Sequence, residues 1–219
     1  MGYADFLQRT LPRVAKQFQA VFVLTSSGDT RTQAACADLG VPAVVSEAWR
    51  QNDANFNKSA ALTDALRRHP RADADDWILL LDADILLPEH LDIQLNRLDR
   101  AALYSVPRRL CQTKAEWDAF VAGRRDWSSF PLDNPPTIDG KIWGKVPTRN
   151  PAGLMGYFQL WHFSALRGRA LPPSRNAASY DVRFALSFAE SRRHGLQFEV
   201  LHLGPIRMNW NGRVSPVWE

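Results

Sequence analysis

The chain has little cysteine: two residues, Cys36 and Cys111, far apart in sequence. Two isolated thiols make neither a disulfide framework nor a zinc pattern, so a reducing compartment is the expectation. No apolar run approaches the roughly 20 residues of a membrane span. No charged-then-apolar leader opens the sequence, so a cytoplasmic domain is expected. Internal repeats and low-complexity tracts are missing. Lysine is scarce beside arginine, which supplies most of the positive charge behind the net +4. The pairs Arg67-Arg68, Arg108-Arg109, Arg124-Arg125 and Arg192-Arg193 are scattered, and no nucleic-acid motif accompanies them. They read as a solvated basic surface, although arginine also suits phosphate and carboxylate partners.

What is present is a sequence of 219 residues, 45% hydrophobic and 23% charged, enough for one domain with a sizeable core. Its first half alternates helix-like and strand-like segments. Residues 3–10 read as a helix that Pro12 should end near Leu11. Residues 21–25 read as a strand and 26–29 as a turn. Residues 30–39 read as a helix closed by Gly40, and 41–45 as a second strand. Asn57 is placed to cap a helix reaching about Arg68, with Ala61, Leu62, Ala65 and Leu66 on one face. Residues 77–81 are a third strand, and Pro88 should open a helix carrying Leu91, Leu95 and Leu98. Such alternation predicts an α/β fold with a mostly parallel sheet covered by helices on both faces. Ligands of such sheets bind outside the carboxyl ends of the strands.

The second half reads differently. Residues 123–154 are rich in Gly, Pro, Asn and Asp without periodicity, and predict a long excursion over the active face. Residues 157–163 then form an aromatic strand. Residues 180–192 form a helix with Val182, Ala185, Leu186 and Ala189 inward, and 197–203 a last strand. The whole is expected to be one domain, with residues 1–110 and 111–219 as its two halves.

The chemistry concentrates at residues 77–84, Trp-Ile-Leu-Leu-Leu-Asp-Ala-Asp. An apolar run stops on two carboxylates spaced i, i+2. Paired acids at a strand end are the usual protein share of a Mg2+ or Mn2+ site, the other ligands being waters and substrate phosphates. A strand followed by an ordinary polar turn would read the same way.

Three segments carry a resemblance. They are Asn57-Lys58-Ser59-Ala60-Ala61-Leu62, then Leu81-Asp82-Ala83-Asp84, and then a late series. That series comprises Gly156-Tyr157-Phe158-Gln159, Ser179-Tyr180-Asp181-Val182-Arg183-Phe184 and His202-Leu203-Gly204. In this order they resemble a GT-A type nucleotide-sugar glycosyltransferase, near glycosyltransferase family 2 and its galactosyltransferase-like branch. The family's sheet begins with a strand just before the segment matching Gly2 to Leu7, so that strand is expected to be missing here.

The resemblance implies a divalent cation, Mn2+ or Mg2+, with Asp84 as direct ligand, Asp82 on the metal or the ribose, and His202 completing the coordination. It implies Asp181 as the general base of an inverting transfer. It implies Asp29 against the uracil and Asn57 and Lys58 at the nucleotide, Lys58 meeting a diphosphate oxygen. The donor implied is a UDP-sugar, and the acceptor is a hydroxyl on a glycan, lipid or protein. Each assignment has a plainer counterpart. Asp29 and Asn57 suit helix caps, Asp181 suits the first turn of a helix, and a strand-end His is commonly a core residue. His162 reads as structural. Trp127 and Trp143 are loop candidates for stacking on a sugar, whereas Tyr157 to Trp161 read as core. Three rivals stand beside this reading: a sugar-nucleotide nucleotidyltransferase, a degenerate domain that only binds sugars or a partner protein without catalysis, and a basic nucleic-acid binder.

Overall fold

A computed structural model describes residues 2–54, 56–68, 75–133, 137–138, 141–142, 156–166, 171–206, 208–209, 211 and 213–218. Helix α1 (Ala4–Ala15) buries Phe6, Leu7 and Leu11. It runs through Pro12 instead of stopping before it. Proline in a helix interior costs about 3 kcal/mol. Here the last turn is held by tertiary contacts: Arg13 donates to the Leu87 carbonyl and Gln17 to that of Pro88, both at 3.0 Å. Strand β1 (Val23–Thr25), helix α2 (Thr30–Asp38) and strand β2 (Ala43–Val45) form one crossover unit with parallel pairing, Leu24 opposite Val44. Gly40, at φ 66°, takes the left-handed turn that ends α2. Helix α3 (Lys58–Arg68) buries Ala61 and Ala65 as its periodicity predicted.

The parallel sheet does not continue. Strand β3 (Trp77–Leu81) is followed by a two-residue strand β4 (Ile85–Leu86), then β5 (Leu103–Ser105), β6 (Arg108–Cys111) and helix α4 (Lys114–Val121). A short hairpin, β7 (Thr137–Ile138) with β8 (Lys141–Ile142), precedes β9 (Phe158–His162). Helix α5 (Ala177–Leu186), β10 (Arg193–Gly195) and β11 (Val200–Leu203) complete the order. β3 pairs antiparallel with β9, and β9 antiparallel with β5, which takes β10 in parallel. A separate three-stranded sheet places β11 between β4, antiparallel, and β6, parallel.

The expected single, mostly parallel sheet is therefore wrong. Among the described residues the chain builds small separate sheets of two, four and three strands, besides the β7–β8 hairpin, and the two larger ones are mixed. Local alternation specifies a β–α–β unit such as β1–α2–β2. It does not specify which strand a later apolar run will pair with. β3, a continuous apolar run, finds its partner in the buried β9 from the far half of the chain.

Other local expectations shift for similar reasons. The helix expected after Pro88 reduces to one 3₁₀ turn at Leu95–Arg97. The Leu91 N–H is taken by the Gln17 side chain at 2.9 Å, and Leu91, Ile93 and Leu98 pack as a half-buried strip on the core. On α5 the buried face is Tyr180, Phe184 and Ala185, continuing to Phe188, while Leu186 is 54% exposed. Strands β5, β6 and β10 and helix α4 have no counterpart in the sequence reading, although Thr113 and Glu116 form a full capping box at the start of α4. Trp127 is not a free loop platform: it is half-buried, with its ring centroid 6.1 Å from that of Phe120. Trp143 lies outside the described residues.

This arrangement leaves Asp82-Ala83-Asp84 where the chain leaves the four-stranded sheet and enters the three-stranded one. The loop is pinned on all sides. The Asp82 N–H donates to the Tyr157 carbonyl at 3.0 Å, and the Leu203 N–H to the Asp84 carbonyl at 2.8 Å. Thr10 of α1 donates to the Ala83 carbonyl at 2.9 Å. Among the described residues no helix is long and apolar enough to cross a membrane.

Candidate functional site

Three elements distant in sequence meet at Lys58. The residue opens α3, and its buried Nζ donates to Asp82 Oδ1 at 3.0 Å and to Asp181 Oδ1 at 2.9 Å. The Tyr180 ring lies 5.7 Å from the same ammonium. Burial alone would lower the Lys58 pKa, but the two carboxylates outweigh it and raise it. Asp181 is pushed up to about 6, chiefly by burial, with Lys58 opposing and Asp82 adding to the rise. Asp181 sits beyond the first turn of α5, which Asn176 and Ser179 cap as a box. A favourable place on the helix dipole therefore does not account for it.

The second pair is Asp84 with His202. Antiparallel pairing of β4 with β11 sets Ile85 opposite His202, which brings the imidazole beside the preceding acid. His202 Nε2 stands 3.7 Å from Asp84 Oδ2, and both side chains are less than a tenth exposed. Burial first, and then the Asp82 charge, pushes the Asp84 carboxyl up to about 7, against the pull of Arg108. Burial and Arg108 together hold His202 well below its ordinary pKa, so the ring is neutral; backbone groups at Gly204 and His202 itself pull weakly the other way. Arg108 is buried on β6, paired with Asp133 at 2.9 Å, and lies 4.4 Å from the Tyr157 ring centroid. Tyr3 is close enough to Asp84 and Asp82 that their charges add to burial in raising its pKa.

The structure thus unites five of the seven residues singled out from sequence: Lys58, Asp82, Asp84, Asp181 and His202. The other two serve as caps. Asp29 accepts from the Gly2 N–H at 2.6 Å, Thr25 Oγ1 at 3.1 Å and the Thr32 N–H at 3.3 Å, closing the start of α2. Asn57 accepts from the Ala60 N–H and donates to the Gln51 carbonyl, both at 3.0 Å. His162 is structural, with Nδ1 2.7 Å from Ser164 Oγ.

Three residues here were given no role in the site by the sequence reading. Arg108 looked like one more surface arginine, yet it begins a strand. Gln159 interrupts an apolar run, a signal that was legible, and its amide donates to the Asp181 carbonyl at 3.2 Å. Gly156 touches the Asp181 carboxylate: a Cβ added there would lie 1.7 Å from Asp181 Cγ.

Whether these residues suit a divalent cation can be judged from their unpaired atoms. Among the described residues Asp84 Oδ1 and His202 Nδ1 are both buried without a hydrogen-bond partner, a costly state for polar atoms. The 3.7 Å gap between Asp84 Oδ2 and His202 Nε2 is too wide for a hydrogen bond. It suits two atoms each about 2.1 Å from one metal ion, which stand between about 3.0 and 4.2 Å apart.

Among the described residues no group of three or more His, Cys, Asp or Glu side chains converges as a ready-made cage. Two protein ligands with an open remainder is, however, the usual economy of Mg2+ sites that take their other ligands from phosphate. One described cavity, about 550 Å³ in volume, is lined by Ala101, Ser164, Ala165, Ser187, Phe188, Ala189 and Arg192, none of which belongs to this cluster. The sequence matches no protein-family model and no curated protein, so the reading of the site rests on its own residues and on the motif order that first drew attention to it.

Proposed function

We propose that this chain is a metal-dependent glycosyltransferase that moves a sugar from a nucleotide sugar, with UDP-sugars favoured, to a hydroxyl acceptor. The observation that carries the reading is the meeting of Asp82, Asp84, Lys58, Asp181 and His202 from distant segments, two of them with unpaired buried atoms. Asp84 and His202 are the residues that would hold Mn2+ or Mg2+, with Asp82 alongside. Bound there, such an ion supplies Lewis-acid stabilisation of the charge gathering on the leaving diphosphate.

The remaining work falls to the chain itself. Asp181, hydrogen-bonded by Lys58, accepts the proton of the attacking hydroxyl. Its carboxyl, near 6, is largely ionised at neutral pH yet basic enough to accept that proton. Attack opposite the leaving group inverts the anomeric centre. Arg108, buried beside the Asp84–His202 pair, offsets part of the negative charge there.

The test is to titrate a panel of nucleotide sugars with and without Mn2+, following binding and slow donor hydrolysis. Metal-dependent binding of at least one UDP-sugar is expected, and failure of every nucleotide sugar to bind in the presence of metal ends the reading. The absence of a three-ligand cage among the described residues favours one alternative, a degenerate domain that binds sugars or a partner protein without catalysis. It predicts binding without hydrolysis, and binding that Asp84→Ala leaves unchanged.

A further inference from the structure

The Asp181 carboxylate is gripped from two sides. Lys58 Nζ donates to Oδ1 at 2.9 Å. On the other side the Gly156 backbone comes so close that an added Cβ would stand 1.7 Å from Cγ and 1.9 Å from Oδ2. The carboxylate occupies the space any side chain at 156 would need. The same ammonium donates to Asp82 Oδ1 at 3.0 Å, so a single cation ties the base on α5 to the acidic loop between β3 and β4. The Gln159 amide fixes the backbone of Asp181 from β9 at 3.2 Å. Among the described residues the side chain of Asp181 accepts a hydrogen bond only from Lys58, through Oδ1.

Resting on the sugar-transfer reading above, we propose that Lys58 is a positioning residue for Asp181 and that Gly156 is the gap admitting the carboxylate, so that Oδ2 alone receives the acceptor's proton. The step balances as follows. The acceptor oxygen forms its bond to the anomeric carbon, and the bond from that carbon to the diphosphate oxygen breaks, its electron pair leaving on UDP. The hydroxyl proton passes to Asp181 Oδ2. The acceptor hydroxyl must then reach Asp181 at Oδ2, the oxygen that Lys58 leaves free. Lys58 is spent on the two acids, which leaves it no role as a diphosphate ligand. One ammonium bonded to both sets the spacing between the acidic loop on the donor side and the base on the acceptor side. A misplacement of about 1 Å in such a group costs about 100-fold in rate.

The experiment uses the full chain with Mn2+, a panel of UDP-sugars with water as acceptor, and UDP binding by calorimetry. Lys58→Met is expected to lower kcat for hydrolysis by about 100-fold with UDP binding unchanged. Lys58→Arg should recover part of the rate, and Gly156→Ala should repeat the loss with UDP binding again intact. Unchanged kcat in Lys58→Met and Gly156→Ala overturns the proposal. So does a Lys58→Met variant that weakens UDP binding and raises KM at constant kcat, the signature of a donor ligand. If the wild type hydrolyses none of the UDP-sugars, the sugar-transfer reading fails separately. Thermal unfolding of Lys58→Met, Asp181→Asn and the double variant then decides whether Lys58 holds Asp181: less-than-additive losses support it, and additive losses overturn it.

Discussion

His202 Nε2 stands 3.7 Å from Asp84 Oδ2 because β4 and β11 run antiparallel with Ile85 opposite His202. The two residues are far apart in the chain, and among the described residues Asp84 Oδ1 and His202 Nδ1 are both buried without a hydrogen-bond partner. A neutral imidazole beside a carboxyl pushed up to about 7 is a pair prepared to share a cation.

Metal binding should therefore be coupled to proton release. Near neutrality the Asp84 carboxyl is partly protonated, and a cation that binds it must displace that proton. Mn2+ affinity is expected to rise as pH goes from 6 to 8, and calorimetry in buffers of different ionisation enthalpy should register the released proton. Asp84→Asn should weaken Mn2+ by more than the roughly 10–100-fold that outer-shell changes cost. A pH-independent affinity, or an unaffected Asp84→Asn, removes Asp84 from the site.

Replacing Asp181 by Asn keeps the shape of the side chain and its oxygen near Lys58 but abolishes its basicity. The expected result is a loss of about 10²–10⁴-fold in kcat for donor hydrolysis, with metal and UDP binding retained. Pre-steady-state and steady-state rates of UDP release would measure it. An equal loss of UDP binding would mean that Asp181 serves the donor and not the acceptor.

Asp5 gives the fold an acid-sensitive clamp. Burial alone would raise its pKa, but the Arg213 guanidinium and the Trp218 N–H, at 2.7 Å, together hold it below the usual carboxylate value of 3.8. Arg213 Nη2 donates to Asp5 Oδ2 at 2.9 Å, and both side chains are less than a tenth exposed. A depressed folded pKa means the contribution is fully present above about pH 4 and is lost as pH falls through the folded value. Asp5→Asn leaves Arg213 without its counter-charge and is expected to cost about 3–5 kcal/mol at neutral pH. Urea unfolding at pH 7 and pH 3 should show this cost shrinking at the lower pH.

The inward face of α5 can be checked by two truncations. Phe184 is fully buried, with its ring centroid 5.0 Å from that of Trp161 and edge-on to it. Phe184→Ala should cost about 3–5 kcal/mol. Leu186 is 54% exposed, and Leu186→Ala should stay within about 0.5 kcal/mol. Equal effects in thermal unfolding would mean that the helix is rotated toward the face its periodicity first indicated.

The sequence by itself determined the local pieces. The β1–α2–β2 crossover, the α3 helix behind its Asn57 cap, the apolar β3 ending on Asp82 and the strand bearing His202 are each written in a short window. Periodicity, cap chemistry and apolar runs act over a few residues, so they can be read there. Tertiary structure alone decided the pairing of β3 with β9, the break into separate sheets at Asp82–Asp84 and the survival of α1 through Pro12. It also decided the burial of Arg108 and of Lys58 between two acids. Each of these depends on which distant surface a segment meets, and several segments here are apolar enough to pair in more than one way. The acids could be found by eye. That a single lysine would join two of them, and a glycine make room for one of the two, follows only from where the chain folds back.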